Sequence, residues 1–353
     1  MALNIGIRLL RAGMNVTWWS SSTERLAELE KRVSRTIRRL SRIDEAVGLG
    51  QSLCLGREDP VVGSVDVMLE STSEDLERKQ TVVKTANRFR REHTILLSNS
   101  SSILPWNIDP SCIGMHFFYP VELHPTAEII LSETISKETK HRVLGFASRA
   151  GIEPLVENEQ SAFAVNRLLL PLQNEAFRAL RSGFPAECVD ECSISELFPN
   201  PILTYMDHVG IDVVMKAVEG YLGRMASTEQ QSFAPLRDGL REAVAVGVLG
   251  NKVKTSIRQL YRDGRINCTT EERLGLSEKM TAVLLNSVLR FKENGLLEYG
   301  SLDTIIEAVW GGKGSIDTFV QRDGIRIIER LQDGYHRTGF SYFEPAHVLK
   351  SVS

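Results

Sequence analysis

Between Ser98 and Glu128 the sequence SNSSSILPWNIDPSCIGMHFFYPVELHPTAE sets residues able to move a proton against two apolar runs. Thr94-Ile95-Leu96-Leu97 reads as a short buried strand ending in a hydroxyl and amide cluster, Ser98-Asn99-Ser100-Ser101-Ser102. Ile113-Gly114-Met115 leads likewise into His116, and an acid, Glu128, stands at the head of Ile129-Ile130-Leu131. A carboxylate that fixes the tautomer of a histidine and stabilises its imidazolium makes that histidine a general base near neutral pH. Alone, a histidine closing an apolar strand is more often a hydrogen-bonded structural residue. In an open parallel sheet ligands sit beyond the carboxyl ends of the strands, so two strands ending in Ser/Asn and in His build one crevice.

The elements that position these residues follow from the pattern on either side. Met1 to Leu10 reads as a helix stopped by Gly13, and Val16-Thr17-Trp18-Trp19 as a strand. A helix from about Glu24 to Leu40 carries Lys31, Arg32, Arg35, Arg38 and Arg39, with Arg42 beyond, a charge run that reads first as a solvated face. Val65 to Glu70 is the next strand, Lys137 to Ala150 a helix, and Pro154-Leu155-Val156 the last strand of a first, α/β domain over 1–160. From Phe163 the periodicity is helical almost throughout, beginning with the apolar stripe Leu168, Leu169, Leu172, Ala176, Phe177 and Leu180. Thr204, Gly210-Ile211 and Gly220-Tyr221 recur as Thr318, Gly324-Ile325 and Gly334-Tyr335 at one constant offset, and Asn174 with Gly183 recurs as Asn286 with Gly295. Two copies of a helical unit, 161–262 and 263–353, account for this, since repeats bury surfaces that a single copy cannot.

Composition narrows the function classes. The 353 residues, 42% apolar and 25% charged, suffice for two or three cores, and a net charge of −3 excludes a general affinity for nucleic acid. No apolar run approaches the roughly 18 residues of a membrane span, and the N-terminus lacks the order of a signal peptide, so the expected location is cytoplasmic. The five cysteines are odd in number and scattered; Cys188 and Cys192 lie one helical turn apart but no zinc set completes them, which points to reduced thiols and no metal.

SNSSS, then HFFYP, then Glu128, together with Phe163-Ala164-Val165-Asn166-Arg167-Leu168-Leu169, resemble in order and spacing the motifs SNTSS, HFFNP, Glu and GFxxNRLL of the L-3-hydroxyacyl-CoA dehydrogenase family. The resemblance covers nearly the whole chain, and its helical repeat is similar to the paired C-terminal domains of the multifunctional fatty-acid-oxidation alpha subunit. It implies a Rossmann-type α/β domain followed by an all-α domain in two repeats, an acyl-CoA or other acyl thioester substrate, NAD as cofactor, and a monomer or homodimer. It further implies His116 as base, Glu128 as its orienting acid, and Ser101 and Asn166 as hydrogen-bond partners of the substrate oxygens. Glu74 and Lys79, which match E-x-L-x-x-K, would lie beside cofactor and substrate, as would Asn99, and Lys252 in Leu249-Gly250-Asn251-Lys252 matches a lysine near the cofactor. Taken without the resemblance, Glu74 and Lys79 are an exposed pair on the first turns of a helix. The second repeat carries Glu278 where the first has Asn166, and is read as structural. The basic helix 24–40 would contact the nucleotide part of CoA on the same resemblance.

Several departures are equally plain. The glycine loop G-x-G-x-x-G/A precedes the first helix in dinucleotide-binding folds. Here Met1-Ala2 resembles only its last two positions, so the Rossmann-type domain is N-terminally incomplete. Without the first strand, a slot with unpaired backbone groups on both neighbouring strands is expected, and either the natural chain starts upstream or this product binds dinucleotide poorly. Ser20 stands where an acid would hold the adenosine ribose, which removes repulsion against a 2′-phosphate and admits NADP; Ser22 or Thr23 equally reads as a simple helix cap. Tyr119 replaces the Asn of HFFNP, Asn200-Pro201 replaces Gly-Pro, and Lys254 stands near a family glycine. Three readings remain: a nicotinamide-dependent L-3-hydroxyacyl thioester dehydrogenase, a cofactor-impaired relative that binds acyl-CoA without redox turnover, and a dehydrogenase of another hydroxy acid or carrier-bound hydroxyacyl substrate.

Overall fold

Helix α1 (Ala2–Arg11) has apolar residues on two sides, and that dictates its place between two sheets. In the computed structural model, Ile5 enters the main core with Ile95, Leu97, Ile113 and Met115, while Ile7 and Leu10 pack on the other side against Trp18 and Val33. Gly6 makes the second contact possible, because a Cβ there would fall 2.3 Å from the Trp18 ring. Arg8 ties the helix down further, donating to the carbonyls of Val121, His124 and Gly151. The structure describes residues 1–20, 22–43, 52–55, 65–88, 90–121, 124–160, 162–261, 268–299 and 302–350. They form two compact units, Met1–Ala162 and Phe163–Ser353.

In the first unit β1 (Val16–Trp19) leads through α2 (Thr23–Ile43) to β2 (Ser52–Leu55), which pairs parallel with β1. These two strands form a sheet of their own. A second sheet runs β3 (Val67–Glu70), β4 (Ile95–Ser98), β5 (Cys112–Phe117), β6 (Thr126–Ile130) and β7 (Glu153–Glu157) in chain order. Helices α3 (Leu76–Ala86), α4 (Pro105–Ile108) and α5 (Lys137–Arg149) complete the unit. Pairing is parallel except between β5 and β6, which are antiparallel. The expected parallel strand ends therefore hold for β4 and β5 only. The expected slot is present: a cavity of about 980 Å³ separates β1 from β3 and is lined by both.

The second unit is helical, with α6 (Ala164–Leu168), α7 (Leu170–Arg181), α8 (Ala186–Ser193), α9 (Ile202–Val209), α10 (Ile211–Leu222), α11 (Ser227–Ser232), α12 (Ala234–Ala245), α13 (Thr270–Glu293), α14 (Leu302–Thr304), α15 (Ile316–Thr338) and α16 (His347–Lys350). The expected division at 262/263 falls outside the described residues, and both helical copies lie within the second compact unit. Their equivalence survives in side-chain detail. Asn174 on α7 donates to the Ser232 carbonyl and accepts from Leu236 N–H; Asn286 on α13 donates to the Tyr342 and Glu344 carbonyls and accepts from Ala346 N–H. The copies diverge at Gly210, whose φ of 102° breaks α9 from α10, whereas its counterpart Gly324 lies inside the continuous α15.

A buried polar knot joins the copies. The Tyr342 hydroxyl donates to Glu175 at 2.6 Å and accepts from Asn174 at 3.0 Å, while Arg178 and Lys279 supply positive charge to the same fully buried carboxylate. Burial foremost, and the Glu175 charge after it, push the Tyr342 hydroxyl well above its ordinary range, so it acts as a donor throughout the accessible pH range. Tyr342→Phe removes that donor while keeping the ring, leaving a buried carboxylate with one hydrogen bond fewer. A loss of about 1–3 kcal/mol is expected, read as a lower urea midpoint in helical circular dichroism. An unchanged midpoint would show that the knot contributes nothing net.

Candidate active site

The turn that follows β4 is built around one carboxylate oxygen. Glu74 stands immediately before Asp75, which caps α3 by accepting from Arg78 N–H. From there Glu74 Oε1 accepts from the hydroxyls of Ser100 (2.6 Å) and Ser102 (2.7 Å) and from the N–H groups of Ser101 (3.0 Å) and Ser102 (2.8 Å). Lys79, one turn into α3, is fully buried and donates to Glu70 at 2.9 Å and to the Thr72 carbonyl at 3.3 Å, with Glu74 Oε2 at 3.6 Å. Glu70, closing β3, also accepts from Thr72 and from the Ser98 hydroxyl. Burial by itself raises the pKa of both acids, but the Lys79 charge and the converging donors outweigh it, and both fall below the ordinary carboxylate value.

Glu74 and Lys79 are thus no exposed pair on a helix. The ammonium group faces three protein oxygens, from Glu70, Thr72 and Glu74. Sequence reasoning passed over Glu70 as a strand residue. An acid closing an apolar strand, with a lysine nine positions on, is the signal that would have marked it.

Asn99 is held by the same turn. Its N–H donates to the Glu70 carbonyl, and its side-chain oxygen accepts from Phe117 N–H at 2.9 Å. That fixes the amide orientation, and among the described residues no acceptor engages its Nδ2. Ser101 occupies the middle of the turn, its hydroxyl 3.4 Å from Glu74.

The antiparallel register sets His116 of β5 directly opposite Glu128 of β6. Directly opposed residues project to the same face, and here Nδ1 and Glu128 Oε2 lie 2.6 Å apart. Glu128 is completely buried, and His116 is 9% exposed with its ring edge-to-face against Phe118. A carboxylate accepts and does not donate, so the imidazole hydrogen sits on Nδ1. Nε2 then carries the lone pair that can receive a proton.

Ser20 closes β1 in the other sheet, where its hydroxyl accepts from Ser22 N–H. Ser22 caps α2 by accepting from Arg25 N–H, as the helix-cap reading expects. Asn166 and Lys252 belong to the second unit. Asn166 lies on α6, whose N-cap Phe163 is buried in the left-handed region at φ 62°. Lys252 is half exposed and paired with Asp212. Lys254 takes φ 58°, so the left-handed conformation suited to the family's glycine is adopted by a lysine.

Residues 1–160 match the description 3-hydroxyacyl-CoA dehydrogenase, NAD binding domain, and residues 163–259 match that family's C-terminal domain. The chain belongs to the 3-hydroxyacyl-CoA dehydrogenase family. A fatty acid oxidation complex subunit alpha from Shewanella amazonensis is 30% identical over 315 residues, covering 83% of this chain. That match covers 44% of the relative, so the chain spans under half the length of such relatives. An (S)-3-hydroxybutyryl-CoA dehydrogenase from Ralstonia eutropha superposes with a TM-score of 0.64 at 26% identity, over 72% of this chain and 93% of the other. A 3-hydroxybutyryl-CoA dehydrogenase from Escherichia coli shares the fold, with a TM-score of 0.78 at 16% identity over 99% of this chain and 95% of its own.

Against the family's motifs, Tyr119 is 69% exposed where an asparagine is usual. Asn200, in place of glycine, donates to the Trp310 carbonyl and serves the packing of the second unit. The NAD named by the first-domain family finds a partial fit. The start of α1 bears no side-chain cap and no acid in its first turn, leaving amide hydrogens for an anion, and Ser20 offers a hydroxyl at the end of β1. Among the described residues no helix is long and apolar enough to cross a membrane, and no cluster of metal-ligating side chains occurs.

Proposed function

We propose that this chain interconverts L-3-hydroxyacyl and 3-ketoacyl thioesters with a nicotinamide cofactor, NAD in the first instance. The observation that carries the reading is the in-register pairing of His116 with Glu128, Nδ1 and Oε2 lying 2.6 Å apart. In the oxidative direction His116 Nε2 takes the hydroxyl proton as hydride leaves C3, and Glu128 holds the ring in place as it becomes charged. Ser101 and Asn166 hydrogen-bond the reacting oxygen and the thioester carbonyl, a positioning and electrostatic role. Glu74 and Lys79 act one step removed, by fixing the turn that carries Asn99 and Ser101. Bound nicotinamide would supply the hydride acceptor. The start of α1, Ser20, Asn99 and Lys252 are the groups we assign to holding it, and the serine in place of an acid at position 20 leaves NADP compatible with the site. Acyl-CoA is the substrate class, and the cytoplasm the expected compartment, in keeping with four free cysteines among the described residues.

The test is the absorbance change of the reduced nicotinamide band with acetoacetyl-CoA and NADH, then NADPH. Turnover that saturates in both substrates is expected. Folded protein that binds acyl-CoA and oxidises neither cofactor would overturn the reading.

A further inference from the structure

The second unit holds a cavity of about 630 Å³ where the two helical copies meet, and none of its lining residues belongs to the candidate active site. Its rim is fixed by backbone contacts. Gly311 is left-handed at φ 75°, and Gly312 lies so close to the carbonyls of Leu197 and Glu196 that a Cβ would fall 2.4 and 2.7 Å from them. Lys313 N–H then donates to the Glu196 carbonyl at 2.9 Å, and Asn200 donates to the Trp310 carbonyl. The loop that opens α15 in the second copy is thereby pinned to the loop between α8 and α9 in the first. Lys313, set between two glycines, is left beside the cavity.

The lining is of two kinds. Leu197 and Phe319 are buried apolar residues, and the Arg322 guanidinium lies over the Phe319 ring, 5.2 Å from its centroid. Ser277 and Thr281 line the cavity from α13, one turn apart and so on one face of the helix, and neither hydroxyl is engaged among the described residues. Arg322 is matched by Glu196 at 3.0 Å and by Asp323 at 2.8 Å, whereas the Lys313 ammonium meets no acid among the described residues. The lining residues therefore carry two cations, Lys313 and Arg322, against one acid, Glu196, a surplus of one positive charge.

We propose that this cavity binds a small organic monoanion, a carboxylate carried on a planar apolar body. The surplus charge calls for one negative charge on the ligand, Ser277 and Thr281 offer hydroxyl donors to its oxygens, and the apolar lining with the Phe319 ring takes a flat hydrocarbon. A volume of about 630 Å³ lies in the range of small-molecule sites, whose usual composition is an apolar lining with a few polar groups. The proposal is independent of the dehydrogenase assignment, because none of His116, Glu128, Ser101 and Asn166 lines the cavity.

The probe is 2-naphthoate, followed by equilibrium dialysis against the whole chain, with the uncharged 2-naphthamide as its isostere. Saturable binding of one naphthoate per chain is expected, and the amide should bind about fivefold more weakly or worse. Lys313→Met should weaken naphthoate by a similar factor, while Lys313→Arg, which keeps the charge, should retain it. Position 313 is exposed, so neither change should move the urea midpoint. Ser277→Ala combined with Thr281→Val should weaken binding about threefold or more, the cost of two lost donors. Saturating acetoacetyl-CoA should leave naphthoate bound. Absence of saturation, equal affinity for the amide, or undiminished affinity in Lys313→Met would each overturn the proposal. Displacement of naphthoate by acetoacetyl-CoA would put the ligand in the dehydrogenase site and overturn it as well.

Discussion

His116→Gln is expected to lower kcat by about 10²- to 10⁴-fold with KM for the thioester within a few-fold of the parent, the cost of losing a positioned general base. Glutamine keeps polarity and approximate length but offers no group that takes a proton at neutral pH. Glu128→Gln is expected to do comparable damage by a different route. Its amide presents a donor as well as an acceptor to Nδ1, 2.6 Å away, and removes the demand that the ring hydrogen reside there. The tautomer with hydrogen on Nε2 then competes, and that tautomer cannot receive a proton. Both replacements are near-isosteric at positions 9% and 0% exposed, so circular dichroism and the urea midpoint should change little. Stopped-flow and steady-state rates with acetoacetyl-CoA check the pair; near-normal turnover in His116→Gln would remove His116 from the role of base.

Lys79→Met should be strongly destabilising, by about 3–5 kcal/mol, because it strands the buried Glu70 carboxylate and the partly buried Glu74 carboxylate, which share one cation. The methionine fills much of the same space, so the loss reports charge rather than volume. The pH dependence has a definite sign. Glu70 and Glu74 titrate below 4.5 in the folded chain, so the stability they contribute is full above that value and is lost as pH falls through their lowered values. Urea midpoints at pH 7 and at successive steps below pH 4.5 should converge between parent and variant as the acids protonate. Equal midpoints at pH 7 would mean that the serine turn does not depend on this network. The double change Glu70→Gln with Lys79→Met should recover part of the loss, since one of the stranded charges is gone.

Much of this architecture is written in local pattern, and the exceptions have physical causes. β1, β4, α1, α5 and the close of the first unit near residue 160 follow from short apolar runs bounded by glycine, serine and charge, which are local signals. Ser52–Leu55 carries no comparable pattern and was not foreseen as a strand; its pairing with β1 is a tertiary contact. His116 and Glu128 were legible as a pair of residue types, but not their opposition, which comes from the antiparallel pairing of β5 with β6. Lys79 misleads in sequence because position on a helix says which residues are neighbours, not which face is covered. Its burial is matched by acids from β3 and from the residue before the α3 cap. The repeat in the second unit was visible as spacing, whereas the broken α9 and α10 against the unbroken α15 was not, since Gly210 and Gly324 are the same residue type with different backbone conformations.

That last difference records a division of labour between duplicates. At Gly210 an added Cβ would lie 3.3 Å from Asp212 and 3.6 Å from Lys252, so the break is wedged against the ion pair that holds the lysine. The first copy is committed to this interruption by the groups crowded around it. Its sister, without that ion pair, runs as an uninterrupted helix of 23 residues and shares the asparagine clasp. One half of the duplication carries the constraint, and the other half is the brace.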